Sequence, residues 1–481
     1  MNIQQVEENI LAGLKDFQRA TVERVSELFT TGQSRVLVAD EVGLGKTMIA
    51  RGVIAKMARY HQEELNDDLF KVVYVCSNLN IAGQNLNKLK VNSNVKVENS
   101  SDTRLSMQHL KIFENKYDTK LKQSYIQLIP LTPSTSFNIT SGSGSYKERA
   151  LTLTILQKCE ALQPYVEELS NLLQNQVNNW GSITSDYRQQ VEQCDVNNNG
   201  EYVKVILEKV NTYFHENDSV LQDVISVCEH IRSNEAIGSE RNRIIHRLRK
   251  MMAEISVDLI KPDLVIMDEF QRFREIIDSD SESETAFLAK KFFNLYQENG
   301  EKVKILLLSA TPYKLYSTSE EIYENQEDTH YEEFKQVMKF LFEDHPALQQ
   351  HFQTVWQDYS LSLAQLNVNN LAVITAKKKQ AEDALYRGIV RTERMVIEGA
   401  DKIIDTSNEN GKIQVSQEDV LSYFTMNQLM RDSHLNEKVQ TEYIKSAPYN
   451  MSFMDYYKLK EKIKNYFIFN MDEVKKVKHF F

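Results

Sequence analysis

No apolar run in this 481-residue chain approaches the roughly 18 residues of a membrane-spanning helix, so no membrane partner is expected. Its first residues, Met-Asn-Ile-Gln-Gln-Val-Glu-Glu-Asn, lack the basic and apolar regions of a secretory signal, and a cytoplasmic location is expected. Cysteine is scarce. The four, Cys76, Cys159, Cys194 and Cys228, are scattered without metal-type spacing, which points to reduced thiols. No internal repeat is visible. Positive charge is also in deficit: the net charge of −11 excludes a protein basic over its whole surface. It does not exclude a groove in which positive charge is focused locally. The apolar fraction of 41% can supply real cores, and the length suits two or three domains.

What is present is concentrated in three segments. Asp40-Glu41-Val42-Gly43-Leu44-Gly45-Lys46-Thr47 follows the apolar run Val36-Leu37-Val38-Ala39 and precedes a helical pattern from Met48 to Tyr60. Strand, glycine-bearing loop and helix form the context of a phosphate-binding P-loop. Backbone N–H groups of Glu41, Gly43, Leu44 and Gly45 can wrap a phosphate, and the helix N-terminus adds its positive dipole end. Lys46 can reach the β- and γ-phosphates of ATP, and the Thr47 hydroxyl can hold Mg²⁺. The usual first position is Gly or Ala; here it is Asp40.

The second segment, Pro262 to Gln271, reads as a buried strand ending in Asp268-Glu269. Asp268 would hold Mg²⁺ and Glu269 would orient the attacking water. The third, Ile305 to Leu308, is an apolar strand ending in Ser309-Ala310-Thr311, small residues suited to relay between ATP and a second site. Carboxylates and relay both belong at the C-terminal ends of strands, where open α/β sheets place their ligands.

In this order, the three segments resemble the first RecA-like lobe of superfamily 2 helicases and translocases. The Asp-Glu-x-Gly-Leu-Gly-Lys-Thr loop is similar to the Swi/Snf-type branch. The Asp268-Glu269-Phe270-Gln271 box departs from both Asp-Glu-Ala-Asp and Asp-Glu-Ala-His. The resemblance implies that Gln271 couples hydrolysis to nucleic-acid binding, and that Phe17-Gln18, upstream of the loop, supplies the glutamine that reads adenine. An amide suits that task because it both donates and accepts. Ser77 and Asn78, after the strand Val72 to Cys76, fall where the family contacts the nucleic-acid backbone. Thr132-Pro133 lies in a loop resembling a second such contact, and both places lack the family's Arg.

Two basic clusters, Arg241/Arg243/Arg247/Arg249/Lys250 and Lys377-Lys378-Lys379, read as solvated helix faces before phosphate contacts. Asp195-Val196-Asn197-Asn198-Asn199-Gly200 opens like a calcium loop, but its twelfth position is Ile206, so it reads as a turn between helices.

The expected fold is therefore α/β: a RecA-like, doubly wound parallel sheet with a helical insertion and a mostly helical C-terminal region. The lobe is expected in residues 1–137 and 257–316, the insertion in 138–256, and a helical accessory region in 317–481. The last contains Arg391-Thr392-Glu393-Arg394 and Lys445-Ser446-Ala447-Pro448-Tyr449, which resemble segments of large prokaryotic defence-associated helicases. No Gln-x-x-Gly-Arg-x-x-Arg element follows Thr311. The second RecA-like lobe, with its arginine fingers, is thus expected outside this chain, as a partner subunit or a lobe supplied in trans. Mg²⁺-ATP is the expected substrate, turned over slowly by this chain alone. Nucleic acid is the expected partner, DNA ahead of RNA. Three activities fit: a helicase, a motor that translocates DNA for a restriction or defence complex, and an ATP-gated binding module without turnover.

Overall fold

The computed structural model describes residues 2–41, 43–76, 85–92, 103–117, 125–137, 142–270, 274–277, 283–297, 300–310, 329–364 and 370–392. The chain divides into two compact units, Met1–Glu393 and Arg394–Phe481. The second lies outside the described residues, as do Ser77, Asn78, Gln271, Thr311, Arg394 and Lys445 to Tyr449.

Five short segments dominated by Val, Ile and Leu form the body of the sheet: β1 (Arg35–Val38), β2 (Phe70–Val75), β3 (Ile126–Leu131), β4 (Leu264–Asp268) and β5 (Lys304–Leu308). A sixth, β6 (Ile389–Val390), adds an edge. All pairings are parallel, in the order β3-β2-β4-β5-β1-β6. A parallel sheet covered on both faces needs near-continuous apolar strands. Alternate side chains then serve opposite cores. Val36, Val38, Val72, Tyr74, Ile266 and Leu306 face one core, which includes residues of α1 (Ile3–Ala12), α2 (Asp16–Thr30) and α3 (Lys46–Glu64). Leu37, Val73, Val265, Met267, Ile305 and Leu307 face the other, with Phe292, Phe293 and Phe340.

Residues 142–260 are helical throughout their main elements, from Tyr146–Leu156 to Glu240–Ile260. They build a third core of their own around Leu151, Leu172, Tyr202, Val224 and Met252, which also takes Met107 and Phe113 from the helix Leu105–Tyr117. The boundary expected at 256 falls inside the helix Glu240–Ile260, which runs directly into the turn before β4. Residues 195–197 close the helix Trp180–Asn197, and 198–200 form the turn to the next helix: Gly200 has φ +83° and Asp195 Oδ1 accepts the Val203 N–H at 2.9 Å. The arginines of the neighbouring cluster are engaged within the protein rather than simply solvated. Arg249 pairs with the buried Glu148 at 2.8 Å, Arg243 and Arg247 share Asp223, and Arg241 donates to the Asn171 and Leu172 carbonyls.

The sheet does not close at residue 316. Helices Thr329–Leu341, Pro346–Ala364 and Leu371–Leu385 precede β6 and contribute Phe334, Phe340, Leu341, Phe352 and Ala384 to the core shared with the sheet. Arg35, at the start of β1, is buried and fastens this region. It donates to the Phe340 carbonyl at 2.9 Å, pairs with Glu343 and lies 4.3 Å from the Phe340 ring centroid. The stretch expected to be accessory thus supplies a strand and part of a core to the lobe. No helix among the described residues is long and apolar enough to cross a membrane.

Candidate nucleotide site

The loop between β1 and α3 is shaped by its glycines. Gly43 and Gly45 adopt φ of +85° and +82°, a left-handed backbone that side chains disfavour. At Gly45 a Cβ would also stand 2.5 Å from Gln18 Nε2, so a side chain there would displace that amide as well as strain the backbone. The Gly45 carbonyl then accepts from Met48 N at 2.8 Å and Ile49 N at 3.2 Å, starting α3. The N–H groups of that first turn have no carbonyl four residues back to serve them, and the helix dipole places positive potential there.

Lys46 Nζ donates to the carbonyls of Asp40 at 2.9 Å and Glu41 at 3.1 Å. Burial lowers the pKa of this ammonium, and the charges of Asp40, Asp268 and Glu269 oppose that fall. Lysine and carboxylates therefore share one electrostatic site although they come from different strands. The strand order explains how: β5 lies between β1 and β4, so the loop and Asp268 stand two inter-strand steps apart, about 10 Å. That spacing leaves room for a polyphosphate with a metal ion between them.

Asp268 closes β4. Its Oδ2 accepts from the Tyr74 hydroxyl at 2.7 Å and from Asn85 Nδ2 at 3.4 Å, and Asn85 also donates to Tyr74 at 3.0 Å. Burial, then the Asp268 charge, push the Tyr74 pKa well above the usual range, so the phenol stays a donor. A carboxylate oriented in this way is an oxygen donor suited to a hard dication such as Mg²⁺. Glu269 follows with φ +51°, where a residue with a side chain costs about 1–2 kcal/mol. Its N–H donates to the Leu308 carbonyl at 3.0 Å, and Phe270 is wholly buried beyond it. Between those two restraints the backbone turns off the strand line at Glu269. Ser309, also buried, donates its N–H to the Val38 carbonyl at 3.1 Å. The segment after β5 thus touches both the carboxylate turn and the strand that feeds the loop. Ala310 follows, half-buried.

Asp40 has a role that its departure from the usual small residue signals but does not explain. Its side chain is wholly buried, and Oδ1 accepts the Thr392 N–H at 2.7 Å, just past β6. The Thr392 hydroxyl meets the Thr21 hydroxyl at 3.0 Å. The other carboxylate oxygen is buried without a hydrogen bond, and burial raises the Asp40 pKa. The Thr392 N–H and the Lys46 and Arg391 charges hold it down in part. Asp40 therefore ties the start of the loop to the chain leaving β6. The motif Arg391-Thr392 is visible in sequence, but its partner is not.

Gln18 is buried against the loop itself. Its Nε2 donates to the Leu44 carbonyl at 2.9 Å and its Oε1 accepts from Lys15 N at 3.0 Å. Both ends of the amide expected to read adenine are thus engaged with protein, and Gln18 shapes the loop. Phe17, half-buried, offers its carbonyl to the Thr21 hydroxyl at 3.0 Å. Thr132 and Pro133, expected at a nucleic-acid backbone, are both buried. The Thr132 hydroxyl lies 2.9 Å from that of Thr103 and also bonds Thr135, while Pro133 opens the short helix Pro133–Ser136. Their expected strand contact does not fit this burial. The hydroxyl-rich composition serves an internal network.

A parallel sheet with a strand between the lysine loop and the carboxylate strand defines a RecA-like P-loop lobe. Residues 12–160 match the family model described as the type III restriction enzyme res subunit, which supports a helicase-type ATPase lobe over that stretch. No curated protein matches the chain, and no solved structure does.

Proposed function

We propose that this chain is the ATP-consuming half of a superfamily 2 motor that moves on DNA. One observation carries the reading: the Lys46 ammonium lies within the electrostatic reach of Asp268 and Glu269, from strands on either side of β5. Lys46 would exchange the Asp40 and Glu41 carbonyls for phosphate oxygens, whose negative charge offsets the burial that now depresses its pKa. Thr47 and Asp268 would hold Mg²⁺, which supplies charge neutralisation across the phosphates. Glu269 would position the attacking water. Glu41, Gly43, Leu44 and Gly45 would line the phosphates, with Phe17 and Gln18 behind them. Ser309 and its neighbours would carry strain between loop and carboxylates. The Swi/Snf-like form of the loop, a strand contact at Ser77 and Asn78, and a second lobe supplied in trans belong to the same proposal.

The family match over residues 12–160 favours a particular version, a motor that translocates on duplex DNA for a restriction or defence complex without unwinding it. ATP turnover with and without duplex DNA, with Lys46→Ala as the control, tests the motor. Strand displacement run beside triplex displacement separates the versions. Triplex displacement alone supports the translocase, and strand displacement supports a helicase. ATP-dependent association with no turnover, even with a second lobe added, would leave only a gated binding module.

A further inference from the structure

At the opposite edge of the sheet, three side chains converge that the nucleotide site does not use. His61 lies on α3 and is wholly buried, Asp67 follows in the turn before β2, and Asp263 immediately precedes β4. Their ligand atoms lie within 4.8 Å of one another. His61 Nδ1 meets Asp67 Oδ2 at 2.7 Å, and Asp263 Oδ2 accepts the Lys71 N–H at 2.6 Å. A simple histidine–aspartate pair closing the end of α3 would account for the first contact. It does not account for the rest. The second ring nitrogen of His61 is buried without a hydrogen bond. So is the hydroxyl of Tyr125, a residue only 8% exposed. That hydroxyl feels the charges of Asp67, Asp263 and Asp68, which with burial raise its pKa. A cleft of about 580 Å³ opens beside Asp67 and Asp263. Such orphans are rare in native interiors and ask for an explanation.

We infer that His61, Asp67 and Asp263 form a divalent-cation site, distinct from the nucleotide site. One imidazole with two carboxylates suits Zn²⁺ better than Mg²⁺ or Ca²⁺, which favour oxygen alone. Zinc ligands at roughly 2.0–2.2 Å would draw the carboxylates inward by about an ångström. Asp67, partly exposed at 31% in its turn, can make that movement. The cation would neutralise two adjacent carboxylates and give the Tyr125 hydroxyl a charged neighbour to orient it. It would also brace the nucleotide site from behind. His61 lies in the last turn of the helix that begins with Lys46, about 22 Å away at the helical rise, and Asp263 immediately precedes the strand that ends with Asp268. The two elements whose far ends bind phosphate and metal would be stapled at their near ends.

The full chain, stripped of metal with a chelator, is titrated with Zn²⁺ by calorimetry and with Co²⁺ by visible absorption. The inference expects one equivalent bound, a Co²⁺ spectrum without thiolate charge transfer, and a zinc-dependent rise in melting temperature. Asp67→Asn, a partly exposed turn position, should weaken binding at least tenfold while keeping the fold. His61→Gln should do the same. Asp268→Asn should bind as the parent does. No binding, binding unchanged in Asp67→Asn, a thiolate spectrum, or loss in Asp268→Asn would each overturn the site.

Discussion

Replacing Asp40 by alanine removes the acceptor of the Thr392 N–H and should release the edge of the sheet. β6 is two residues long and is held to β1 by Leu37 N donating to the Gly388 carbonyl and Ala39 N to the Val390 carbonyl, each at 2.9 Å. The Asp40 bond at 2.7 Å adds to what fixes so short a strand. A typical intramolecular hydrogen bond contributes about 0.5–1.5 kcal/mol net. At about 1.4 kcal/mol per factor of ten, local opening around residues 389–392 should become roughly 2- to 12-fold more frequent. Global stability should fall by less. The same substitution removes a carboxylate whose other oxygen is buried without a hydrogen bond, which relieves a desolvation cost. Hydrogen exchange followed by mass spectrometry reads the two effects separately, through peptides covering 386–392 and 35–38. Asp40→Asn keeps a carbonyl oxygen for Thr392 and should retain most of the protection. If Asp40→Ala left exchange at 389–392 unchanged, Asp40 would not be a tether, and its burial would need another cause.

Further outcomes follow from the same geometry. Lys46→Ala should abolish ATP turnover to background while leaving the melting temperature within a few degrees, because the lysine now bonds only its own loop. Glu269→Gln should retain nucleotide binding and lose about 10²–10³-fold in turnover, as measured by single-turnover hydrolysis. Tyr74→Phe removes a donor that orients Asp268 and should raise the Mg²⁺ concentration needed for half-maximal turnover about 10- to 100-fold. On the helix Leu105–Tyr117, burial pushes the His109 pKa down to about 3, and its Nδ1 meets the Tyr202 hydroxyl at 3.0 Å. A histidine held neutral in the fold gains a proton first in the unfolded chain, so its contribution is complete above about pH 6.5 and is lost as pH falls toward 3. Between pH 6.5 and 5 this should cost about 1.6 kcal/mol, seen as a falling denaturation midpoint that His109→Gln flattens.

The five longer strands were legible because a buried parallel strand must be apolar almost throughout, and β1, β4 and β5 lead into the lysine loop, the carboxylates and Ser309. The glycines of the loop were legible for the same local reason, since Gly43 and Gly45 hold a backbone that few residues adopt. β6 was not legible. Two residues carry no periodicity, and what makes Ile389–Val390 a strand is β1 alongside it and Asp40 at its end. Thr132 misled for a related reason. A hydroxyl-rich loop after a strand has the same composition whether it faces phosphate or, as here, Thr103 and Thr135. Tyr74 shows the limit from the other side, since nothing in a run of apolar strand residues marks the one whose hydroxyl reaches Asp268.

Asp40 and Glu269 are both placed against ordinary local preference, one a buried carboxylate and the other a left-handed glutamate. Each is held by a backbone group from a different strand: Thr392 beyond β6 for Asp40, Leu308 in β5 for Glu269. Ser309 in turn reaches back to Val38 in β1. The loop, the relay and the carboxylate turn are thus linked by hydrogen bonds that run across the sheet edge rather than along any one strand. In the proposed motor, a displacement of the loop would reach β6 through the bond between Asp40 and Thr392. In a motor that must convert a change at phosphate into movement of another part, this edge is where the proposed coupling would leave the lobe.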